Sequence, residues 1–189
     1  MNTLTIESST DIELLAVTSG GKSFQFVEKT GLSHSTDMFI NLQSLLVRAG
    51  LPIRGIELVG VGTGPGSFTG VRIAVSTARM LAQILKVPLV GVKSHEIYAS
   101  SCGTGGDGPT AVAFDAKKSK VYAGLYMKKG SETFTVIEPG DFTMREFLQK
   151  IPRDEVITCI GDGFTRYADE VKDYSAANNM TCRVIGDFL

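Results

Sequence analysis

An α/β fold made of two copies of one supersecondary unit is predicted by three features of the 189-residue sequence. Apolar segments of strand type alternate with segments of helical period, a glycine-rich turn joins one strand to a long apolar helix, and the same order of elements recurs in the second half.

The first copy opens with Leu4-Thr-Ile6-Glu7, a short strand that meets the polar turn Ser8-Ser9-Thr10-Asp11. Glu13–Val17 and Ser23–Val27 follow as strands, which suggests an antiparallel meander. Ser33-His34-Ser35-Thr36 supplies capping residues, and Met38, Leu42, Leu45, Leu46 and Ala49 recur at helical spacing until Gly50 and Pro52 stop the helix. Ile56–Val61 reads as a buried strand, Gly62-Thr-Gly64-Pro65-Gly66-Ser67 as the turn after it, Phe68–Lys86 as a helix and Val87–Val92 as a strand. His95 beside Glu96 marks another helix start.

The second copy begins at Thr110–Asp115, again an apolar strand running into an acidic residue and a polar turn. Val121–Met127 and Thr133–Ile137 continue as strands and Thr143–Lys150 as a helix. Val156–Ile160 then enters Gly161-Asp162-Gly163-Phe164-Thr165, a shorter echo of the glycine turn, with a helix to about Lys172. Two lobes are expected, 1–102 and 103–189, the second reduced or truncated. The competing reading is a chance likeness between two α/β halves.

Composition narrows the function. A chain 43% hydrophobic and 21% charged can bury a core, which excludes disordered and fibrous classes. Nineteen basic against twenty acidic residues leave a net charge of -1, so any nucleic acid is expected to be gripped mostly by another subunit. Met1–Ser9 lacks the basic start, long apolar run and cleavage site of a secretory signal, and Phe68–Leu85 carries Arg72, Arg79 and Gln83; a cytoplasmic chain without a membrane span is expected. Cys102, Cys159 and Cys182 are widely spaced and read as inert thiols without a metal or redox pair.

The chemical motifs fail on their specifics. No Lys-Ser/Thr follows the glycines, as a P-loop needs, and Ser67 stands where the dinucleotide fingerprint has its third glycine. Pro65 two residues before Ser67 removes the nucleophile elbow, and His34 and His95, the two histidines, form no zinc-binding pair. Glu7, Thr10 and Asp115 are the candidates for cofactor contact, because acidic residues at the ends of two first strands can organise a metal-bound nucleotide. Yet Ser8-Ser9-Thr10 and Lys117-Lys118-Ser119 contain no glycine to let phosphate approach the backbone. No catalytic residue, metal or cofactor is expected, and a vestigial nucleotide fold fits better than a working kinase.

The Phe68–Lys86 helix is the most informative element. Arg72, Ser76, Arg79, Gln83 and Lys86 confine its polar residues to one narrow stripe, so a second side should be covered. Gly70, Ala74, Ala78 and Ala82 form a row of small side chains along which another helix can come close. That helix is either a partner's or a neighbour in the same domain.

The run Val59-Gly-Val-Gly-Thr-Gly64-Pro65-Gly66-Ser67-Phe68-Thr69-Gly70-Val-Arg72-Ile73, continuing to Val87-Pro88 and Gly91-Val92-Lys93-Ser94, resembles the TsaB (YeaZ) family. Ile6-Glu7-Ser8-Ser9-Thr10, His34-Ser35 and Asp115-Ala116-Lys117 through Val121-Tyr122 resemble it too, so the likeness covers about residues 1–128 well. The resemblance implies a duplicated actin-like, Hsp70-like ATPase (ribonuclease H-like) fold. It also implies a non-catalytic role beside TsaD, the subunit that transfers threonylcarbamoyl to tRNA, with the ATPase TsaE joining and ATP bound only by partner subunits. The family interface uses the first two long helices, here about Ser35–Ala49 and Phe68–Lys86, which also support self-association as a dimer. Carried onto this sequence, the expected interface is Met38, Leu42, Leu45, Gly70, Arg72, Ala74, Ala78, Leu81 and Ala82. Glu7 departs from the family's aspartate. The alternatives are an ATPase or phosphotransferase of the same fold and, opposed by the missing ligand sets, a glycoprotease-like peptidase.

Overall fold

The computed structural model describes residues 1–29, 37–101, 107–130 and 132–185. Two compact units divide the chain, Met1–Ser94 and His95–Phe188.

In the first unit the alternation of apolar and polar residues builds β1 (Thr3–Glu7), β2 (Ile12–Ser19) and β3 (Lys22–Lys29) as an antiparallel meander. β4 (Leu58–Gly62) runs parallel to β1, and β5 (Leu89–Val92) runs parallel to β4, giving the order β3-β2-β1-β4-β5. Registers Leu4↔Val59, Ile6↔Val61, Leu4↔Val17 and Ile6↔Leu15 put six apolar side chains on one face. That face receives Met38, Leu42 and Leu45 from α1 (Met38–Ala49) and Ala74, Ala78, Leu81 and Ala82 from α2 (Phe68–Leu85). Gly50 caps α1 in the left-handed conformation, as expected of a glycine after the last periodic residue. The His34-Ser35 start lies outside the described residues; at its edge, the N-cap Asp37 makes no side-chain cap bond.

The second unit contains α3 (Ser94–Ser101) from its second residue on, a helix that the sequence division had assigned to the first lobe, then β6 (Gly108–Lys117), β7 (Lys120–Lys129), β8 (Glu132–Phe142) and α4 (Met144–Lys150). β9 (Val156–Ile160), α5 (Asp162–Arg166), α6 (Ala168–Asn178) and β10 (Thr181–Ile185) complete it. Its sheet, β8-β7-β6-β9-β10, repeats the first one: two antiparallel pairs on one side of β6 and two parallel pairs on the other. The duplication is therefore a matter of pairing, and chance likeness is set aside. The single helix expected to about Lys172 is two, α5 and α6, broken at Tyr167, and β10 was not anticipated. No helix among the described residues is long and apolar enough to cross a membrane.

Candidate functional site

The candidates for cofactor contact lie at the end of each first strand, and the glycine turn follows each fourth strand. In the first unit these two places are locked onto each other. Glu7, fully buried at the end of β1, accepts hydrogen bonds from the Ser9 N–H at 2.5 Å and from Ser94 Oγ at 2.7 Å. Ser94 Oγ in turn accepts from the Gly64 N–H at 2.9 Å, tying the carboxylate to the glycine loop. The glycines make this possible. A Cβ on Gly62 would lie 1.5 Å from Glu7 Oε2, one on Gly66 2.3 Å from the Ser9 carbonyl oxygen, and one on Gly70 1.8 Å from the Ser8 carbonyl oxygen.

The Ser67 and Gly70 N–H groups at the start of α2 are engaged as well. Ser67 N–H donates to the Ser9 carbonyl at 2.5 Å, Gly70 N–H to the capping Ser67 Oγ at 3.3 Å, and Ser8 Oγ to the Gly70 carbonyl at 2.9 Å. Thr10, 6% exposed, accepts through Oγ1 from the Ile12 N–H. Gly64, Pro65, Gly66, Ser67 and Gly70 thus close the loop on the β1 turn, while Phe68 and Thr69 point outward.

The second unit repeats the packing with less of the chemistry. A Cβ on Gly161, whose φ is +107°, would meet the Ala113 carbonyl oxygen at 2.2 Å, and one on Gly163 the same oxygen at 2.9 Å. Asp115 takes the Lys117 ammonium at 2.7 Å and the Lys117 N–H at 2.9 Å, while its own N–H donates to Asp162 Oδ1 at 3.0 Å. Desolvation alone would raise the Asp115 pKa, but the Lys117 hydrogen bonds and charge outweigh it and hold the carboxyl below its usual range. Each acidic candidate is therefore engaged within its own unit.

His95, fully buried on α3, donates through Nε2 to the Tyr122 carbonyl at 2.9 Å and packs 4.4 Å from the Phe114 ring. This bond fixes the proton on Nε2 and leaves Nδ1 a buried lone pair without a partner. Burial, partly opposed by that bond, lowers its pKa to about 4. Among the described residues no three His, Cys, Asp or Glu side chains are grouped as metal ligands. Cys102 and His34 lie outside the described residues. The other two cysteines are closer than their sequence spacing implied. Cys159 on β9 and Cys182 on β10 share a sheet face; the Cys159 thiol donates to the Ile157 carbonyl at 3.7 Å and Cys182 Sγ accepts from Ser175 Oγ at 3.6 Å. The neighbouring thiol pulls the half-buried Cys182 down to about 7 and, with burial, pushes the enclosed Cys159 up.

The expected partner residues require a correction. Gly70, Ala74, Ala78 and Ala82 turn inward onto the sheet, with Ala74 and Ala78 at most 1% exposed, and Met38, Leu42, Leu45 and Leu81 are core residues too. The small row brings α2 close to its own strands, and only Arg72 of the nine faces solvent. What the two helices present outward is larger: Phe39, Ile40 and Val47 from α1, and Phe68, Met80 and Ile84 from α2, with Ile40, Val47, Phe68 and Ile84 each at least 65% exposed. A groove of about 310 Å³ between the helices is lined by Met38, Phe39, Arg72, Ile73, Ser76 and Thr77. The exposed aliphatic and aromatic side chains of this unit's helices are thus the large ones, while the small ones are buried.

Residues 28–159 match the model of a family described as TsaD: tRNA N6-adenosine threonylcarbamoyltransferase. The tRNA threonylcarbamoyladenosine biosynthesis protein TsaB of Bacillus subtilis (strain 168) is 30% identical over 142 residues, which cover 75% of this chain and 62% of that protein. The protein of the same name from Escherichia coli (strain K12) is 28% identical over 181 residues, 92% of this chain and 76% of the relative. The chain therefore spans less than two thirds of the Bacillus protein. Among solved structures, YeaZ from Pseudomonas aeruginosa superposes with a TM-score of 0.79 at 24% identity, covering 89% of this chain and 78% of that one. An uncharacterized protein described as similar to peptidase YEAZ from Pseudomonas aeruginosa gives 0.84 at 22% identity, over 100% and 85%. Both share the fold.

Proposed function

We propose, from the premise that this chain belongs to the TsaD family of tRNA N6-adenosine threonylcarbamoyltransferases and to its TsaB (YeaZ) branch, that it is a non-catalytic subunit of threonylcarbamoyladenosine synthesis on tRNA. It pairs with a TsaD-like catalytic paralogue through the outer face of α1 and α2; a TsaE-like ATPase joins the assembly, and tRNA and ATP are held by the other subunits in the cytoplasm. One observation carries the non-catalytic part: Glu7 is buried and hydrogen-bonded to the Ser9 N–H and to Ser94 Oγ, which in turn accepts from the Gly64 N–H of the loop, and the loop glycines leave no room between them. The exposed apolar face supports the partner role. Self-association would use the same two helices and compete with the paralogue.

Co-expression with the cognate TsaD-like protein tests the reading, with co-purification the expected result. Depleting the chain in cells should lower threonylcarbamoyladenosine in tRNA, and unchanged nucleoside levels would sink the assignment. ATP turnover by the isolated chain, abolished by Glu7→Ala and Asp115→Ala, would overturn the scaffold role.

A further inference from the structure

The sheet of the second unit is covered differently on its two faces. One face packs on Phe147 and Leu148 of α4 and on Val171 and Tyr174 of α6. The other receives Tyr98 and Ala99 of α3 on Val112, Phe114 and Ile160, with Ile185 of β10 beside them. Registers Val112↔Ile160 and Ile160↔Ile185 make one apolar row across β6, β9 and β10. Two residues towards the strand starts, the next row on that face is Thr110↔Thr158↔Arg183, and the surface turns polar. A cavity of about 310 Å³ opens there, at the lower end of the range for ligand pockets. Both threonines and Arg183 line it, together with Asp107 and Glu155, the residues that lead into β6 and β9.

The lining is chemically unbalanced. Thr110 is 5% and Thr158 7% exposed, yet neither hydroxyl is hydrogen-bonded among the described residues. A valine at either position would fill the same space without enclosing a polar group, so the hydroxyls suit a polar occupant. Arg183 and Glu155 share the cavity wall but form no ion pair among the described residues. Asp107 is held in place by accepting the Gly130 N–H at 2.7 Å. Two carboxylates and one guanidinium therefore border one polar space. A simple anion there meets the carboxylates, a simple cation meets Arg183, and a neutral polyol leaves all three charges without a counter-charge. A molecule that carries a carboxylate and an ammonium a few atoms apart offers a partner to each of them.

We propose that this cavity binds a small zwitterion of the amino-acid class. Arg183 takes the carboxylate with the two parallel hydrogen bonds that a guanidinium fork provides, and the Thr110 and Thr158 hydroxyls add donors from the same row. Asp107 and Glu155 take the ammonium. β10 is the edge strand of its sheet, so Arg183 stands on the open side, where a small molecule can enter. The site lies within the second unit alone and is independent of the partner reading above.

Titration of the isotope-labelled chain, followed through its backbone amide resonances, tests the assignment. The probes are L-alanine and two molecules that each keep one of its charges, propionate and ethylammonium. L-Alanine taken to about 50 mM, enough to reveal a millimolar site, should shift the amides of Thr110, Thr158 and Arg183 saturably. Propionate and ethylammonium should bind at least about tenfold more weakly. Arg183→Gln and Glu155→Gln, both at exposed positions, should melt like wild type and each lose at least about tenfold in affinity for L-alanine. Thr158→Val, close to threonine in volume, should also weaken binding, with its folding read from the same spectra. Propionate that binds as tightly as L-alanine would make this an anion site, and ethylammonium that does so a cation site; either result overturns the proposal. Shifts that are absent or scattered over the surface at the highest L-alanine concentration overturn it too, as does an affinity unchanged by both Arg183→Gln and Glu155→Gln.

Discussion

Replacing Gly62 by alanine is the sharpest probe of the lock between β1 and the glycine loop. The new Cβ would sit 1.5 Å from Glu7 Oε2, 2.6 Å from its carboxyl carbon and 3.0 Å from Ser94 Oγ, all buried. The carboxylate must leave that position or β4 must move off β1. Leaving removes the Ser94 bond and strains the Ser9 bond, and hydrogen bonds to a charged group are worth about 1.5–3 kcal/mol each. A buried carboxylate stripped of its partners raises the cost to about 3–5 kcal/mol, far above the few tenths to 1 kcal/mol that a Gly→Ala change gains from the unfolded chain. At about 2–4 °C per kcal/mol for a chain of this size, thermal melting followed by circular dichroism should fall by roughly 6–20 °C. Gly60→Ala, two residues earlier on the same strand and face, is the control. Its Cβ would come tightest to the Thr5 hydroxyl, at 3.3 Å, which a small rotation relieves, and would meet Thr5 Cγ2 and the Leu4 carbonyl oxygen at ordinary contact distances of 3.7 and 3.8 Å. A Gly62→Ala protein that melts within about 2 °C of wild type, or no lower than Gly60→Ala, would refute the wedge and free Glu7 for another role.

Other outcomes follow from the same geometry. Ala78→Leu should overpack the core by about 1–3 kcal/mol and lower the melting temperature, whereas Ile84→Ala should leave melting near wild type and weaken partner binding; the reverse ordering would return the small row to the surface. His95 has a folded pKa of about 4 against an ordinary 6.5, so between those values the unfolded chain binds a proton that the folded chain refuses. Its stabilising effect is complete above pH 6.5 and lost as pH falls towards 4, by about 3 kcal/mol in total. His95→Gln should flatten the decline of melting temperature over that window, and equal slopes in the two proteins would count against it. Iodoacetamide should label Cys182 with a rate midpoint near pH 7 and leave Cys159 slow, as read by peptide mass; faster labelling of Cys159 would contradict the assignment of the buried thiol.

Most of the fold was legible because the periodicities of 2 and 3.6 are strong in β1 to β5 and β6 to β9, and because a repeated order of elements needs no long-range information. β10 escaped because Thr-Cys-Arg-Val-Ile is short, mixed in polarity and lies on a sheet edge where few residues must be apolar. The chemistry of the glycine loop was legible only as a negative. Motif spacing excludes the phosphate-binding patterns, but the purpose of Gly66 and Gly70 appears only when β1 and β4 pair in parallel. That pairing brings the Ser8 and Ser9 carbonyls, about sixty residues away in sequence, against them.

The direction of α2 was harder to read, for a physical reason. Periodicity finds a row of small residues but cannot say what the row touches, since close approach is equally useful against a partner helix or the helix's own sheet. Here the sheet supplies the bulk, through Leu4, Ile6, Val59 and Val61, and a helix seated on it needs only Ala74 and Ala78 to fill the remaining space. With small residues satisfying the core, the large apolar side chains of α2 are not required inside. Phe68, Met80 and Ile84 face outward. Such an arrangement exposes apolar area that a solitary folded unit has no need to carry. The inward turn of the small row, which buries it in the chain's own core, is thus the reason the same helix has large apolar side chains left to face outward.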